Sequence, residues 1–145
     1  MPVFEFRRVG APDIDYCWSL YRDSMQPLTL ELAAWNEARQ RRSIEEALRE
    51  EGASILIEQD NDVGWLHVTE TRFDIHLGHL YLSPERRGQG LGSGFLGWMG
   101  ERARRKGKLL SLDLIKNSPV RGLYERLGYR VVRTGGVTLR LELGP

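Results

Sequence analysis

The sequence predicts an α/β domain: one mixed, mostly antiparallel sheet with helices on both faces. Three observations carry this. Apolar residues recur at helical spacing in some segments and alternate in strand-like runs in others. The centre of the chain holds SILIEQ, VGWLHVTE and DIHLGHLYL, three strand-like runs joined by short polar turns, which makes them antiparallel neighbours. After the third run come an amphipathic helical segment and then LLSLDLI, and strand, helix, strand in that order is a parallel crossover. A chain of 145 residues is expected to form one domain spanning residues 1–145, long enough to bury about two-thirds of the surface its unfolded form exposes.

The elements follow in chain order. Val3 to Val9 reads as a first strand, and Pro12 with Asp13 as a helix start. Ile14, Cys17, Trp18 and Tyr21 then fall on one helical face. Thr29 is a candidate cap for a second helix carrying Leu32 and Trp35. Ser43 with Glu46 forms a capping-box pattern for a third helix, stopped by Gly52. The three central strands follow, with their first turn at Asp60-Asn61-Asp62. Leu91, Phe95, Trp98 and Met99 mark a helix that runs to Gly107, and Leu109 to Ile115 a strand. Ser118 as cap and Pro119 at the first helical position open a last helix, with Val120, Leu123, Tyr124 and Leu127 on one face and Gly128 at its end. YRVVR and VTLRLEL close the chain as a hairpin across Thr134-Gly135-Gly136.

Composition narrows the function. Twenty-one basic and twenty acidic residues give a net charge of +1, so no global field favours nucleic acid or an anionic membrane. The basic run Arg102 to Lys108 lacks interleaved aromatics and suits the negative pole of a helix end better than a nucleic acid. The single cysteine, Cys17, leaves no intrachain disulfide and no multi-cysteine zinc site; it sits beside Trp18 on an apolar stripe, where a thiol fills volume. No run approaches the ~20 apolar residues that span a bilayer, and MPVFEFRRVG lacks the apolar region of a secretion signal. A cytoplasmic protein without a metal site is expected.

The stretch Ser83 to Gly94, SPERRGQGLGSG, stands out. It places four glycines in seven residues between a strand and a helix, and glycine is concentrated where the backbone needs a positive φ or something approaches it closely. Amides converging on a helix N-terminus form an anion site, to which Arg86 or Arg87 adds charge. The plainer alternative is a mobile surface loop with a solvated arginine pair. A P-loop is excluded, because no lysine lies between Ser83 and Gly100. GSGFLG, Gly92 to Gly97, matches a dinucleotide fingerprint with Asp113 downstream, but it lies within the helical run and too little chain follows it.

Arg87-Gly88-Gln89-Gly90-Leu91-Gly92 resembles the Q/R-x-x-G-x-G/A signature of the GNAT superfamily of acyl-CoA-dependent N-acetyltransferases. Its context, after HLYLSPE and before an amphipathic helix, matches the family, and NSPVRGLYERLGYRVV resembles the family's second landmark. The YRDSM segment resembles a subgroup of small bacterial members. The resemblance implies a single-domain GNAT fold in which the strand before the motif and the parallel strand after it splay apart. Arg87, Gly88, Gln89, Gly90, Leu91, Gly92 and Ser93 would hold the pyrophosphate of acetyl-CoA. Leu80, Tyr81 and Leu82 would offer main-chain groups to pantetheine, and Asn117 would hydrogen-bond the cofactor arm, although locally it reads equally as a turn or capping residue.

The implied reaction is direct attack of an amine on the thioester in a ternary complex. Tyr124 matches the tyrosine that protonates the departing sulfur; its alternative is a core tyrosine. The glutamate that many members use as base is missing from IHLGHLYL, and His79 is the candidate replacement, ahead of His76 and His67, unless it is only a strand histidine. Tyr21, Arg22, Met25 and Trp35 are candidates for the acceptor pocket, with Glu37 as partner for a substrate cation. The acceptor would be a small-molecule amine or a protein or peptide amine, and a homodimer would be unsurprising. The second class of function is a CoA-binding module without transfer activity.

Overall fold

The computed structural model describes residues 4–144. Its sheet has seven strands: β1 (Glu5–Arg8), β2 (Ala53–Glu58), β3 (Asn61–Glu70), β4 (Asp74–Leu82), β5 (Leu109–Ile115), β6 (Arg130–Gly135) and β7 (Thr138–Leu143). They lie in the order β1-β2-β3-β4-β5-β7-β6, and only β4 and β5 run parallel. Four helices complete it: α1 (Ile14–Glu31), α2 (Glu37–Leu48), α3 (Leu91–Arg105) and α4 (Arg121–Arg126). This is the expected α/β architecture. The Val3 end of the first expected strand lies outside the described residues.

Two cores flank the sheet. On one face Phe95, Leu96 and Met99 of α3 pack with Ile75, Leu77, Leu110, Leu112 and Leu141 of the strands. On the other, Cys17, Trp18 and Tyr21 of α1 and Ile44 and Leu48 of α2 cover Ile55 and Trp65. The Trp65 indole N–H donates to the Cys17 carbonyl at 2.9 Å, so even the most buried aromatic has its polar atom paired. Burial pushes the Cys17 thiol up to about 12, so it stays protonated and fills volume.

The helical first third differs from expectation in its boundaries. Thr29 caps nothing: α1 continues through it, and its hydroxyl donates back to the Met25 carbonyl at 2.6 Å. Pro27 stands inside the same helix on an exposed turn, where losing one backbone donor leaves the Asp23 carbonyl without its usual partner. Ser43 and Glu46 lie within α2, whose start is set by Asn36 accepting from the Arg39 amide at 3.0 Å. Two helices therefore replace three.

The β2–β3 turn is Gln59-Asp60, both at positive φ (50° and 67°), one residue earlier than expected. The last helix also starts later than Pro119. Ser118 Oγ accepts from the Val120 amide at 3.3 Å in a turn, and α4 begins at Arg121 with no side-chain cap. Val120 and Leu127 are exposed, so only Leu123 and Tyr124 of the expected apolar face turn inward. The closing hairpin turns at Gly136-Val137, and β7 rather than β6 pairs with β5.

Gly64 sits in mid-sheet between Leu56 and Leu82, and a Cβ built there would overlap the Tyr81 carbonyl oxygen. Gly64→Ala is therefore expected to cost about 1–3 kcal/mol, from forced displacement of β4. Urea denaturation of the variant against the parent measures it; an unchanged midpoint would show that the strands can separate freely at this point.

Candidate functional site

The site is built from a break in strand pairing. β4 and β5 pair in register from Asp74↔Leu109 to Leu77↔Leu112 and then separate, although β4 stays paired with β3 to Leu82 and β5 with β7 to Ile115. The reason is local. The β3–β4 register slips by one residue between His67↔His79 and Val68↔Leu77, which leaves Gly78 as an unpaired extra residue. A bulge bends its strand and increases twist, and here it turns the second half of β4 away from β5. The main-chain edge of residues 78–82 facing β5 is thereby released from the ladder.

The gap is a cleft of about 510 Å³. One wall is Gly78 to Leu82, the other Leu112 to Ile115; Tyr124 of α4 and Met25 and Leu28 of α1 close it, with Arg87 at the β4 end. At that end Ser83 is fixed twice: its amide donates to the Val63 carbonyl at 2.8 Å and its hydroxyl pairs with Tyr16 Oη at 2.8 Å. The loop that follows is thus anchored at its base. Gly88 and Gly90 both adopt positive φ (74° and 81°), a conformation that favours glycine, and Gly90 is the N-cap of α3.

The Gly94 amide, donating to the Gly90 carbonyl at 2.9 Å, is the first to enter the helical ladder. Among the described residues the backbone N–H groups of Gly88 to Ser93 have no partner. Six free amides at the positive end of a fifteen-residue helix, with open space where Cβ atoms would stand on Gly88 and Gly90, form a cradle for an anion. The two arginines are placed differently from each other. Arg86 pairs with Glu58 at 3.1 Å. Arg87 folds back over the cleft mouth, donating to the Leu82 carbonyl at 3.0 Å and to Ser24 Oγ at 3.1 Å, and has no carboxylate partner among the described residues.

At the apex, His79 lines the cleft and stacks on Trp65 at 5.2 Å. Its Nδ1 is within 2.9 Å of Tyr81 Oη, which fixes the ring. Its Nε2 has no partner among the described residues, yet it is not sealed from solvent. Burial, with help from the neighbouring His67, pushes the His79 pKa down to about 4, so the ring is neutral at physiological pH. Burial raises the Tyr81 and Tyr124 phenols above their ordinary value, so both stay protonated. Tyr124 lines the cleft and packs edge-on against Tyr129 at 5.5 Å, and its hydroxyl has no protein partner among the described residues.

Asn117 does not line the cleft. Its Nδ2 donates to the Leu28 carbonyl at 3.0 Å, tying the β5–α4 loop to α1, while its Oδ1 is buried without a partner. Of the acceptor candidates, Met25 lines the cleft, but Tyr21 is buried in a stack with Trp18 (5.8 Å) and Trp35 (6.2 Å) and meets Tyr81 edge-on at 5.4 Å. Tyr21 and Trp35 therefore support the site from behind. Arg22 and Glu37 lie outside the cleft. Sequence reasoning missed Ser24, Leu28, Leu112, Asp113 and Ile115. The β5 residues were accessible to it, being the far wall of any splayed parallel pair; Ser24 and Leu28 were not, because which side of α1 meets the cleft is decided by tertiary packing.

The sequence profile of the Acetyltransferase (GNAT) domain matches residues 50–131, more than half of the chain, and the chain belongs to this family of acyltransferases. No curated protein matches the sequence. Among solved structures, the chain is similar to the PaiA N-acetyltransferase from Thermoplasma acidophilum in complex with coenzyme A, with TM-score 0.72 and 17% identity over 99% of both chains. It is also similar to the ribosomal-protein alanine N-acetyltransferase from Escherichia coli, with TM-score 0.67 and 15% identity over 98% of this chain and 94% of that one. An aminoglycoside 6′-N-acetyltransferase complexed with coenzyme A has TM-score 0.66 and 14% identity over 98% and 96%. At these identities the likeness establishes the fold. Among the described residues no cluster of three or more His, Cys, Asp or Glu is placed to hold a metal ion, and no helix is long and apolar enough to cross a membrane.

The His79 environment has a measurable sign. A histidine held below its unfolded value near 6.5 leaves the unfolded chain binding more protons between about pH 4 and 6.5. Its contribution to stability is complete above that range and is lost as pH falls through it. NMR titration should place the His79 midpoint near 4; a midpoint near 6.5 would mean that the ring is solvated.

Proposed function

We propose that the protein is an N-acetyltransferase that moves the acetyl group of acetyl-CoA to a primary amine by direct attack in a ternary complex. The observation that carries this is the joining of two features: six free amides at the start of α3 and the unzipped β4 edge, connected end to end by the anchored Ser83 turn. An anionic head with a long amide-bearing arm fits that shape. Arg87 and the amides of Gly88 to Ser93 would hold the pyrophosphate. The free edge of Gly78 to Leu82 would take the arm's amides, and the orphaned Asn117 Oδ1 is a buried acceptor for a cofactor N–H where the arm passes α1. Bound there, acetyl-CoA supplies the acyl group as a thioester.

The side chains supply proton handling. His79, in the neutral tautomer whose Nδ1–H donates to Tyr81 Oη, takes a proton from the ammonium at its unpaired Nε2 and, with its lowered pKa, passes it on to solvent, which frees the lone pair of the amine. The C–N bond forms as the C–S bond breaks, a β4 backbone amide near Leu82 supports the carbonyl oxygen, and Tyr124 gives its proton to sulfur. Tyr124 recovers a proton from the new amide nitrogen. One proton in total leaves for solvent. The protonated phenol of Tyr124 and the unprotonated imidazole of His79 are the states these roles require. Transfer, rather than CoA binding alone, is favoured because both groups face one cleft.

Acetyl-CoA is expected to raise the melting temperature by mass action, and NADH is not. Ser93→Glu separates fold from site: an acid in the first turn suits the helix dipole, so the melting temperature should hold, while acetyl-CoA affinity should fall about tenfold or more through repulsion of phosphate. Retained affinity would remove the loop from the cofactor site. Tyr124→Phe should keep acetyl-CoA affinity and lower the single-turnover rate with the best amine of a screen by about 10²-fold or more. A near-parental rate would return Tyr124 to a packing role.

A further inference from the structure

A second cavity, of about 340 Å³, lies against the other side of the β4 bulge. Ser43 and Glu46 of α2, and Glu50 just beyond its end, line it together with His67, His76 and His79 of the sheet. Ser43, Glu46, Ala47 and Glu50 follow helical spacing, i, i+3, i+4, i+7, beside the buried Ile44 and Leu48. α2 therefore sets an apolar stripe into the core and holds a polar stripe over the sheet.

Gly78 and His79 line both this cavity and the reaction cleft. At the bulge the partition lacks a side chain on Gly78, and a Cβ there would come no closer than 3.7 Å to any neighbour. The open Nε2 of His79 belongs to this partition. A nucleophile approaching from the α2 side would thus meet the base before the thioester, without crossing the path of the cofactor arm.

We propose that this cavity is the entrance for the acceptor, and that the acceptor is a primary amine carrying a second positive charge. The proposal rests on the acetyl-transfer reading and gives it a substrate class. Charge is divided between the two sides of the bulge. The cofactor end presents free amides and Arg87. The α2 side presents two carboxylates: Glu46 has no ion-pair partner among the described residues, and Glu50 meets only the His67 Nε2 at 3.0 Å. Arg41 is engaged by Asp15 and Glu45, and no lysine or arginine lines the cavity. Burial holds His76 and His79 below their ordinary pKa, so neither ring cancels that negative charge at neutral pH. A dication can leave one ammonium with the glutamates and deliver the other to His79.

The test is thiol release under saturating acetyl-CoA with three probes: 1,4-diaminobutane, n-butylamine and 4-aminobutyrate. The diamine should exceed the monoamine in kcat/KM by about fivefold and the amino acid by more, a range set by two solvated carboxylates. The Glu46→Gln, Glu50→Gln double variant should cut the diamine-to-monoamine ratio to about twofold or less, with acetyl-CoA affinity retained. Ser43→Trp, a change at an exposed position that narrows the cavity, should lower kcat/KM for every amine with acetyl-CoA affinity retained; circular dichroism melting confirms that each variant is folded. Equal rates for the three probes, a diamine preference that survives loss of both carboxylates, full activity in Ser43→Trp, or no transfer to any probe by protein that binds acetyl-CoA would each overturn the proposal. Failure to bind acetyl-CoA would overturn the acetyl-transfer reading itself, and this proposal with it.

Discussion

The loss of pairing between β4 and β5 after Leu77 and Leu112 is the constraint on which the rest of the structure depends. A parallel pair at the centre of a sheet ordinarily leaves no main-chain group free. Here one unpaired residue, Gly78, is enough to turn the strand, and β3 on one side and β7 on the other hold the separated halves in place. The opening therefore costs the sheet little of its integrity. It also explains why the cleft is flanked by buried leucines yet edged by backbone polar groups, a combination suited to a chain-like ligand that carries its own amides.

Around that opening the polar groups are divided by protonation state. Tyr81 and Tyr124 are held protonated and His79 neutral, and in each case burial is the leading cause. The aromatic stack of Trp18, Tyr21 and Trp35 packs behind two of these groups, Tyr21 meeting His79 at 6.3 Å and Tyr81 at 5.4 Å, and so adds to their burial. The Arg87 side chain, bridging the Leu82 carbonyl and Ser24, covers the cleft mouth where the row of free amides begins.

Much of the fold was legible in the sequence because its central strands alternate cleanly and its turns are short. The glycine loop was legible because positive φ at Gly88 and Gly90 leaves a compositional mark. The helical first third was read poorly. Thr29 resembles a cap in sequence, but its hydroxyl bonds backwards along an uninterrupted helix, and the packing of Cys17, Trp18 and Tyr21 outweighs the Pro27 penalty. Ser24 and Leu28 escaped notice beside Met25 because the side of α1 that meets the cleft is set by packing. The bulge at Gly78 left a hint in DIHLGHLYL, a glycine in mid-strand, but register against β3 decides its meaning, and register is a tertiary property. Asp113 was noticed only as a nucleotide-fingerprint acid, because its neighbours Arg140 and His76 are remote in sequence.

Amide chemical-shift mapping of the ¹⁵N-labelled protein during titration with coenzyme A tests the central claim most directly. The unzipped strand and the helix start are claimed to form one continuous cofactor site. The largest shifts should fall on Gly88 to Ser93 and on Gly78 to Leu82, with smaller ones at Asn117 and Tyr124, and β1 and β6 should be unaffected. Shifts confined to other surfaces, or a saturable response that leaves the Gly88 to Ser93 amides unmoved, would contradict it.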